Sequence, residues 1–160
     1  MSADLMAFLK ERLDEAELVA RRACEYAEAE WRLDEDGETV LWWPPEPRVA
    51  EKEREHGLPV VSDRWRGQTI GSGGTRIAPH IARWDPARVL AEVEAKREIM
   101  AEAFHHAATI DSEWGCCHDA EEIEQGMCPD QRPDELALLR LLARPYVGHP
   151  GYRPEWASGA

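Results

Sequence analysis

Between residues 3 and 31 apolar side chains return every three or four positions. Leu5, Phe8, Leu9, Leu13, Ala16, Ala20, Ala23, Ala27 and Trp31 fall on one face of a helix, and charged residues fill the other. A helix of this kind is not self-sufficient in water, because its apolar stripe has to be covered by another element. The chain supplies a partner. Asp85-Pro86 is a strong helix start: the Asp side chain accepts from early N–H groups, and proline lacks the donor that would be orphaned there. Val89, Leu90, Val93, Met100, Phe104 and Ala107 then trace a second stripe, interrupted only by Arg97, whose stem can lie along the face. The two stripes are expected to face each other and seal one interior. Ser2 and Asp4 suit the start of the first helix, and the turn signal Asp34 to Gly37 ends it.

Between the helices the pattern changes. Thr39 to Trp43 is β-branched and aromatic, hence a strand, and it is stopped by Pro44, Pro45 and Pro47, which cannot donate to a ladder. Residues 58–61, 66–70 and 76–81 read as further strands, separated by Ser62-Asp63 and by the glycine-rich stretch 71–74, so the middle predicts a small antiparallel meander. The charged run 48–57 is either a short exposed helix or a loop. After the second helix, residues 110–129 read as a loop. Pro133 to Ala143 is a short leucine-rich helix ended by Pro145, and Tyr146, Tyr152 and Trp156 mark an irregular aromatic tail laid over the core. The expected fold class is α+β: two long antiparallel helices, a small antiparallel sheet from the middle, a short third helix and that tail, in a single domain over 1–160.

A 160-residue chain buries about 70% of the surface exposed by its unfolded form, so this one has no need of disulfide staples. The formal charge is −13, from 19 Lys and Arg against 32 Asp and Glu. That sign repels phosphate backbones, and the arginines form no basic stripe, which argues against direct nucleic-acid binding. Residues 1–10 hold no basic region followed by a long apolar run, and nowhere is an apolar run long enough to span a bilayer. A cytoplasmic protein with no membrane contact is expected, in which Cys24, Cys116, Cys117 and Cys128 are reduced thiols or metal ligands.

Several constellations could carry chemistry. His105, His106, Cys116, Cys117, His118 and Cys128 lie close in sequence, enough donors for a tetrahedral structural zinc; the set that fits best is His106, Cys117, His118 and Cys128, with Cys116 able to replace Cys117. The adjacent cysteines depart from the usual C-x-x-C spacing, and the plainer reading is an exposed loop with reduced thiols. A cysteine with a neighbouring histidine is also a nucleophile and base in outline, but nothing in the sequence marks an oxyanion site. Glu25 and Glu28, with Glu121, Glu122 and Glu124, resemble paired carboxylates for magnesium, against a solvated charged face as the plainer alternative. Gly71 to Gly74 lacks the Lys-Ser or Lys-Thr of a phosphate loop. His80 and His149 read as structural hydrogen-bonders before acid or base groups. Seven tryptophans are too many for this core to seal, so some reach the surface; Trp42 and Trp43 beside Pro44 and Pro45 form the natural protein-docking patch.

Two stretches, HIARWDPARVLAEVEAKR over 80–97 and YVGHPGYRPEW over 146–156, together with residues 5–15, resemble an uncharacterised family of small proteins from actinobacteria and their phages, a domain of unknown function. The resemblance covers about a third of the chain and leaves 42–74 unmatched. It implies a fold pattern and a bacterial or phage cytoplasm, with no activity or catalytic residue to carry over. The family usually has a second histidine where this chain has Trp84, which argues against an essential catalytic role there. Some members carry C-x-x-C in the cysteine loop and others do not, so any metal would be a staple. The function read from the sequence is a non-catalytic interaction or accessory protein with a protein partner. The alternatives are a small metal-dependent hydrolase acting on nucleotides or phosphate compounds, and an acidic nucleic-acid mimic.

Overall fold

The computed structural model describes residues 3–35, 37–43, 55–62, 64–65, 68–69, 77–113 and 117–157. The chain divides into two compact units, one of residues 1–15 with 93–160 and one of residues 16–92. Each long helix contributes a segment to both. Helix α1 runs Ala3–Ala27 and the second long helix Pro86–Glu113. Asp14 meets Arg97 at 2.7 Å in the first unit, and the Ala29 carbonyl takes the Ala87 N–H at 3.0 Å in the second. Arg97 interrupts its stripe as a partly exposed residue whose head group pairs with Asp14.

In the first unit both stripes point inward as expected. Leu5, Phe8, Leu9 and Leu13 are buried from α1, and Val93, Met100, Phe104 and Ala107 from the second long helix. Three further pieces complete that core. Ala120–Glu124 is a short helix closed by a reciprocal cap: the Asp119 carboxylate accepts from the Glu122 N–H and the Glu122 carboxylate from the Asp119 N–H, both at 2.9 Å. Its Ile123 is fully buried. Ala137–Ala143 is the leucine-rich helix, preceded by a 3-10 turn at Pro133–Glu135. It ends where Pro145 predicts, but Arg144 keeps right-handed helical angles (φ −51, ψ −40) and the chain tightens into a 3-10 turn at Arg144–Tyr146. The tail then wraps Phe8. The rings of Tyr146, His149, Tyr152 and Trp156 stand 5.8, 5.5, 6.3 and 5.1 Å from its centre. His149 is held structurally, its Nε2 accepting from Arg12 Nη1 at 2.6 Å, since a guanidinium has only donors.

The second unit holds the sheet. Strands β1 (Arg32–Leu33), β2 (Thr39–Trp42) and β3 (Leu58–Ser62) lie in that order, all antiparallel. The register jumps between Val40↔Val61 and Leu41↔Pro59, so a bulge absorbs the proline on an edge strand, where a missing N–H costs least. A separate two-strand ladder pairs β4 (Arg64–Trp65) with β5 (Gln68–Thr69). Helix α2 (Ala78–Arg83) packs on β1 and β2, with Ala78 fully buried. The other helices, in chain order, are α3 (Pro86–Glu113), α4 (Ala120–Glu124) and α5 (Ala137–Ala143).

Several boundaries correct the sequence reading. Helix α1 stops at Ala27 instead of Trp31: Glu28 adopts φ +48, and the Trp31 indole folds back to donate to the Ala27 and Glu28 carbonyls, each at 3.1 Å. Carbonyls that the helix end leaves orphaned are thereby satisfied by a side chain. Arg32 and Leu33, just past the expected helix, form β1. The stretch 78–81 is helical and not a strand, because Pro79 falls in the first turn, where its fixed φ suits a helix and its missing N–H is harmless. Helix α3 continues through 110–113, and α4 occupies part of the expected cysteine loop. Ser2, the glycine stretch 71–74 and most of the charged run 48–57 lie outside the described residues.

The Asp85-Pro86 start stands as read, with Asp85 Oδ1 accepting from the Arg88 N–H at 2.8 Å. Its other oxygen takes the Trp31 N–H at 3.4 Å. Asp85→Ala is expected to lower stability by about 1 kcal/mol, toward the upper part of the ~0.5–2 kcal/mol range for caps because two donors lose their acceptor. Urea denaturation measures it, and an unchanged midpoint would remove the cap from the account.

Candidate functional site

In the second unit, the end of β2 is presented by a chain of local causes. The β1–β2 hairpin turns on Asp34, whose N–H donates to the Thr39 carbonyl at 2.9 Å and whose Oδ1 accepts from the N–H groups of Glu38 and Thr39 at 2.9 and 3.1 Å. Gly37, at φ +69, closes the turn with an N–H to the Asp34 carbonyl. Burial by itself raises the Asp34 carboxyl, but the N–H groups of Thr39 and Glu38, the Thr39 hydroxyl and the Gly37 N–H outweigh it and hold the group below the usual carboxylate value. The stability this gives is present above the unfolded-chain value, about 3.9 for Asp, and is lost as acid takes the pH down through the lower folded value. Asp34→Asn is therefore expected to be less stable than wild type at neutral pH, with the gap closing below about pH 4. Urea midpoints of both chains over pH 2–7 check this, and a constant gap would contradict it.

The hairpin sets Arg32 opposite Leu41, and Trp43, two residues on, continues on the same face. The Arg32 guanidinium lies 5.9 Å from the centre of the Trp43 ring, within cation–π range. Gly57, at φ +74, brings bare backbone against that ring: a Cβ there would stand 3.0 Å from Trp43 Cε2. The indole is so held while 37% exposed. Beside it opens a cavity of about 410 Å³ lined by Glu28, Ala29, Glu30, Arg32 and Trp43. Arg32 Nη2 also reaches Glu30 Oε2 at 3.4 Å. Of the expected docking residues, Trp43 fronts this cavity and Trp42 is half-buried; Pro44 and Pro45 lie outside the described residues. Glu28 stood out in the sequence only as half of a carboxylate pair with Glu25, because 28–31 read as helix, and Arg32 and Gly57 were not singled out at all.

In the first unit, a groove of about 700 Å³ runs between α3 and α4. His105, Cys117, His118, Asp119, Glu121 and Glu124 lie along it, with Phe104 and alanines beneath. The zinc quartet is not brought together. Cys117 and His118 line this groove, His106 is exposed on α3, and Cys128 is buried and lines a different cavity with Arg132 and Asp134. Cys116 lies outside the described residues, and among those described no three His, Cys, Asp or Glu side chains are grouped to hold a metal ion. The carboxylates have local partners: Glu124 pairs with Lys10 at 2.7 Å, Glu122 closes the α4 cap and Glu121 accepts from Gln125. Glu25 is exposed on α1 and Glu28 has left the helix, so the pair does not share a helical face. His80 is exposed near Trp84, over whose ring Arg88 stacks at 4.6 Å.

A family model described as a family of unknown function, DUF6221, matches residues 2–158. No curated protein and no solved structure matches the chain. No helix among the described residues is long and apolar enough to cross a membrane.

Proposed function

We propose, starting from the fact that the chain belongs to the family of unknown function DUF6221, that it is a non-catalytic cytoplasmic interaction protein whose docking face is the Trp43 end of its small sheet. The observation carrying this reading is an indole kept part-exposed by its own backbone support, beside a cavity. Left to itself, an exposed tryptophan gains by folding down onto apolar surface. Here the bare backbone of Gly57 braces it at the rim of the cavity, with the Arg32 guanidinium across its ring. Rigid aromatic area with little conformational entropy to lose is what interface anchors are made of. Thiols at Cys24, Cys117 and Cys128 accord with a reducing compartment.

The test is site-specific photo-crosslinking in cells from position 29, which lines the cavity beside Trp43, with position 138 on α5 as the control. A single adduct of defined mass from position 29, absent from 138 and lost in a Trp43→Ala background that unfolds within about 1 kcal/mol of wild type, supports the reading. Equal labelling from both positions counts against it. A second reading has one observation in its favour, since histidine, thiol and carboxylate side chains do line one groove in the first unit. Chelator-sensitive turnover of nucleotides or phosphate monoesters, lost in His118→Ala, would put a metal-dependent hydrolase in place of the docking protein.

A further inference from the structure

Three of the described residues that line the 410 Å³ cavity, Glu28, Glu30 and Trp43, favour a cation. The Trp43 ring offers a negative π face, and two of the remaining lining residues, Glu28 and Glu30, are carboxylates. Helix α1, twenty-five residues long, ends at Ala27 immediately before them, so its negative pole adds to the same field. The cavity also has an occupant of its own. The Arg32 guanidinium sits over the Trp43 ring and against Glu30, which shows that this combination accepts a planar cation. Arg32 is lightly held: its side chain is 70% exposed and its ion pair is stretched to 3.4 Å, the kind of surface pair worth about 0–1 kcal/mol.

A further sign comes from the backbone. Glu28 is the one non-glycine residue at positive φ among those described, and a glycine in that position would avoid a cost of about 1–2 kcal/mol. Strain of this kind concentrates at ligand-binding positions, where the side chain is needed in spite of it. The strained residue here is a carboxylate on the cavity wall. The chain's charge of −13 steers basic partners toward it.

We infer that the cavity between Trp43, Glu28 and Glu30 is a binding site for an arginine side chain in a basic segment of a partner protein, with Arg32 as a built-in competitor for the same ring. This rests on the docking reading and narrows it to one chemistry. The incoming guanidinium stacks on Trp43 and pairs with Glu28, and Arg32 is displaced toward solvent.

The experiment titrates the full chain with two peptides of equal length, one carrying arginine among glycine and serine and the other citrulline in its place. The citrulline side chain is nearly isosteric but uncharged. The indole N–H signal of Trp43, identified by its loss in Trp43→Phe, reports binding. Expected is saturable perturbation by the arginine peptide and binding about tenfold weaker for citrulline, the size of one desolvated cation–π contact with a charge partner. Arg32→Ala should bind the arginine peptide severalfold tighter. Glu28→Gly should bind it at least severalfold more weakly while melting at a higher temperature, two opposite signs that a merely structural residue does not give. Equal binding of the two peptides would overturn the arginine site and leave the docking face standing. No response of Trp43 to either peptide would also overturn the site, and the docking face would then be judged by the crosslinking alone.

Discussion

Phe8→Ala is expected to remove about 3–5 kcal/mol of stability, a large share of the roughly 5–15 kcal/mol that a domain possesses. The reason lies in what meets at this ring. Tyr146, His149, Tyr152 and Trp156 all approach it within 6.3 Å, and the Arg12 guanidinium lies 5.7 Å from its centre. Truncation leaves a cavity that five different side chains would have to fill together, and the tail that supplies four of them is built from short 3-10 turns with few backbone bonds of its own. Hydrogen exchange in 146–157 should accelerate with the loss of stability, because Phe8 is the anchor that orders that segment. Tyr152→Phe is the matching control. The Tyr152 hydroxyl is buried with no hydrogen-bond partner among the described residues, so deleting it should be neutral or slightly stabilising while the ring contacts remain. A Phe8→Ala chain within 1 kcal/mol of wild type, or one that leaves the tail protected, would refute the aromatic knot as the clamp of this unit.

Gly57→Ala should be the most damaging small change in the other unit, at about 1–2 kcal/mol, and should also disturb Trp43. Two penalties act together. At φ +74 any side chain is strained by about 1 kcal/mol, and the new Cβ would stand 3.0 and 3.2 Å from the Trp43 ring and 3.3 Å from Leu41 Cβ. The alanine also restricts the unfolded chain, which offsets about 0.4–1 kcal/mol. The indole has an open cavity on its rim and can shift into it, so the clash is relieved at the expense of the site. Urea denaturation gives the first quantity, and the change of the Trp43 indole signal with weakened arginine-peptide binding gives the second. A Gly57→Ala chain that is destabilised but binds as wild type would show that Trp43 does not depend on this brace.

The helix pair, the α+β class and the aromatic tail were readable directly from residue order, because each is specified locally. Spacing of three and four fixes an amphipathic face, Asp85-Pro86 fixes a start whatever packs around it, and Thr39 to Trp42 could not easily be anything except a strand. Where the reading failed at the end of α1, a side-chain bond to the last helical carbonyls displaced the continuation of the helix. Trp31 fits the helical stripe at its expected position, yet its indole gains more by closing the end of α1 over the Ala27 and Glu28 carbonyls. That one choice ended the helix early, turned Arg32 and Leu33 into a strand, and put Arg32 beside Trp43.

The candidate site shows the same division. Trp42 and Trp43 stood out by residue type alone, as did the cysteines and histidines after α3. Type does not say which donors converge: Cys117 and His118 line one groove, while Cys128, ten residues beyond His118, is buried on another cavity. Sequence by itself determined the periodic faces, the helix start and the acidic charge, since these depend on neighbours within a turn or on sums over the chain. Only tertiary structure decided that Glu28, Glu30, Arg32, Trp43 and Gly57 surround one cavity. Their meeting depends on where a helix stops and how a hairpin registers, and those are settled by competing contacts whose energies differ by about 1 kcal/mol, below what residue order alone can resolve.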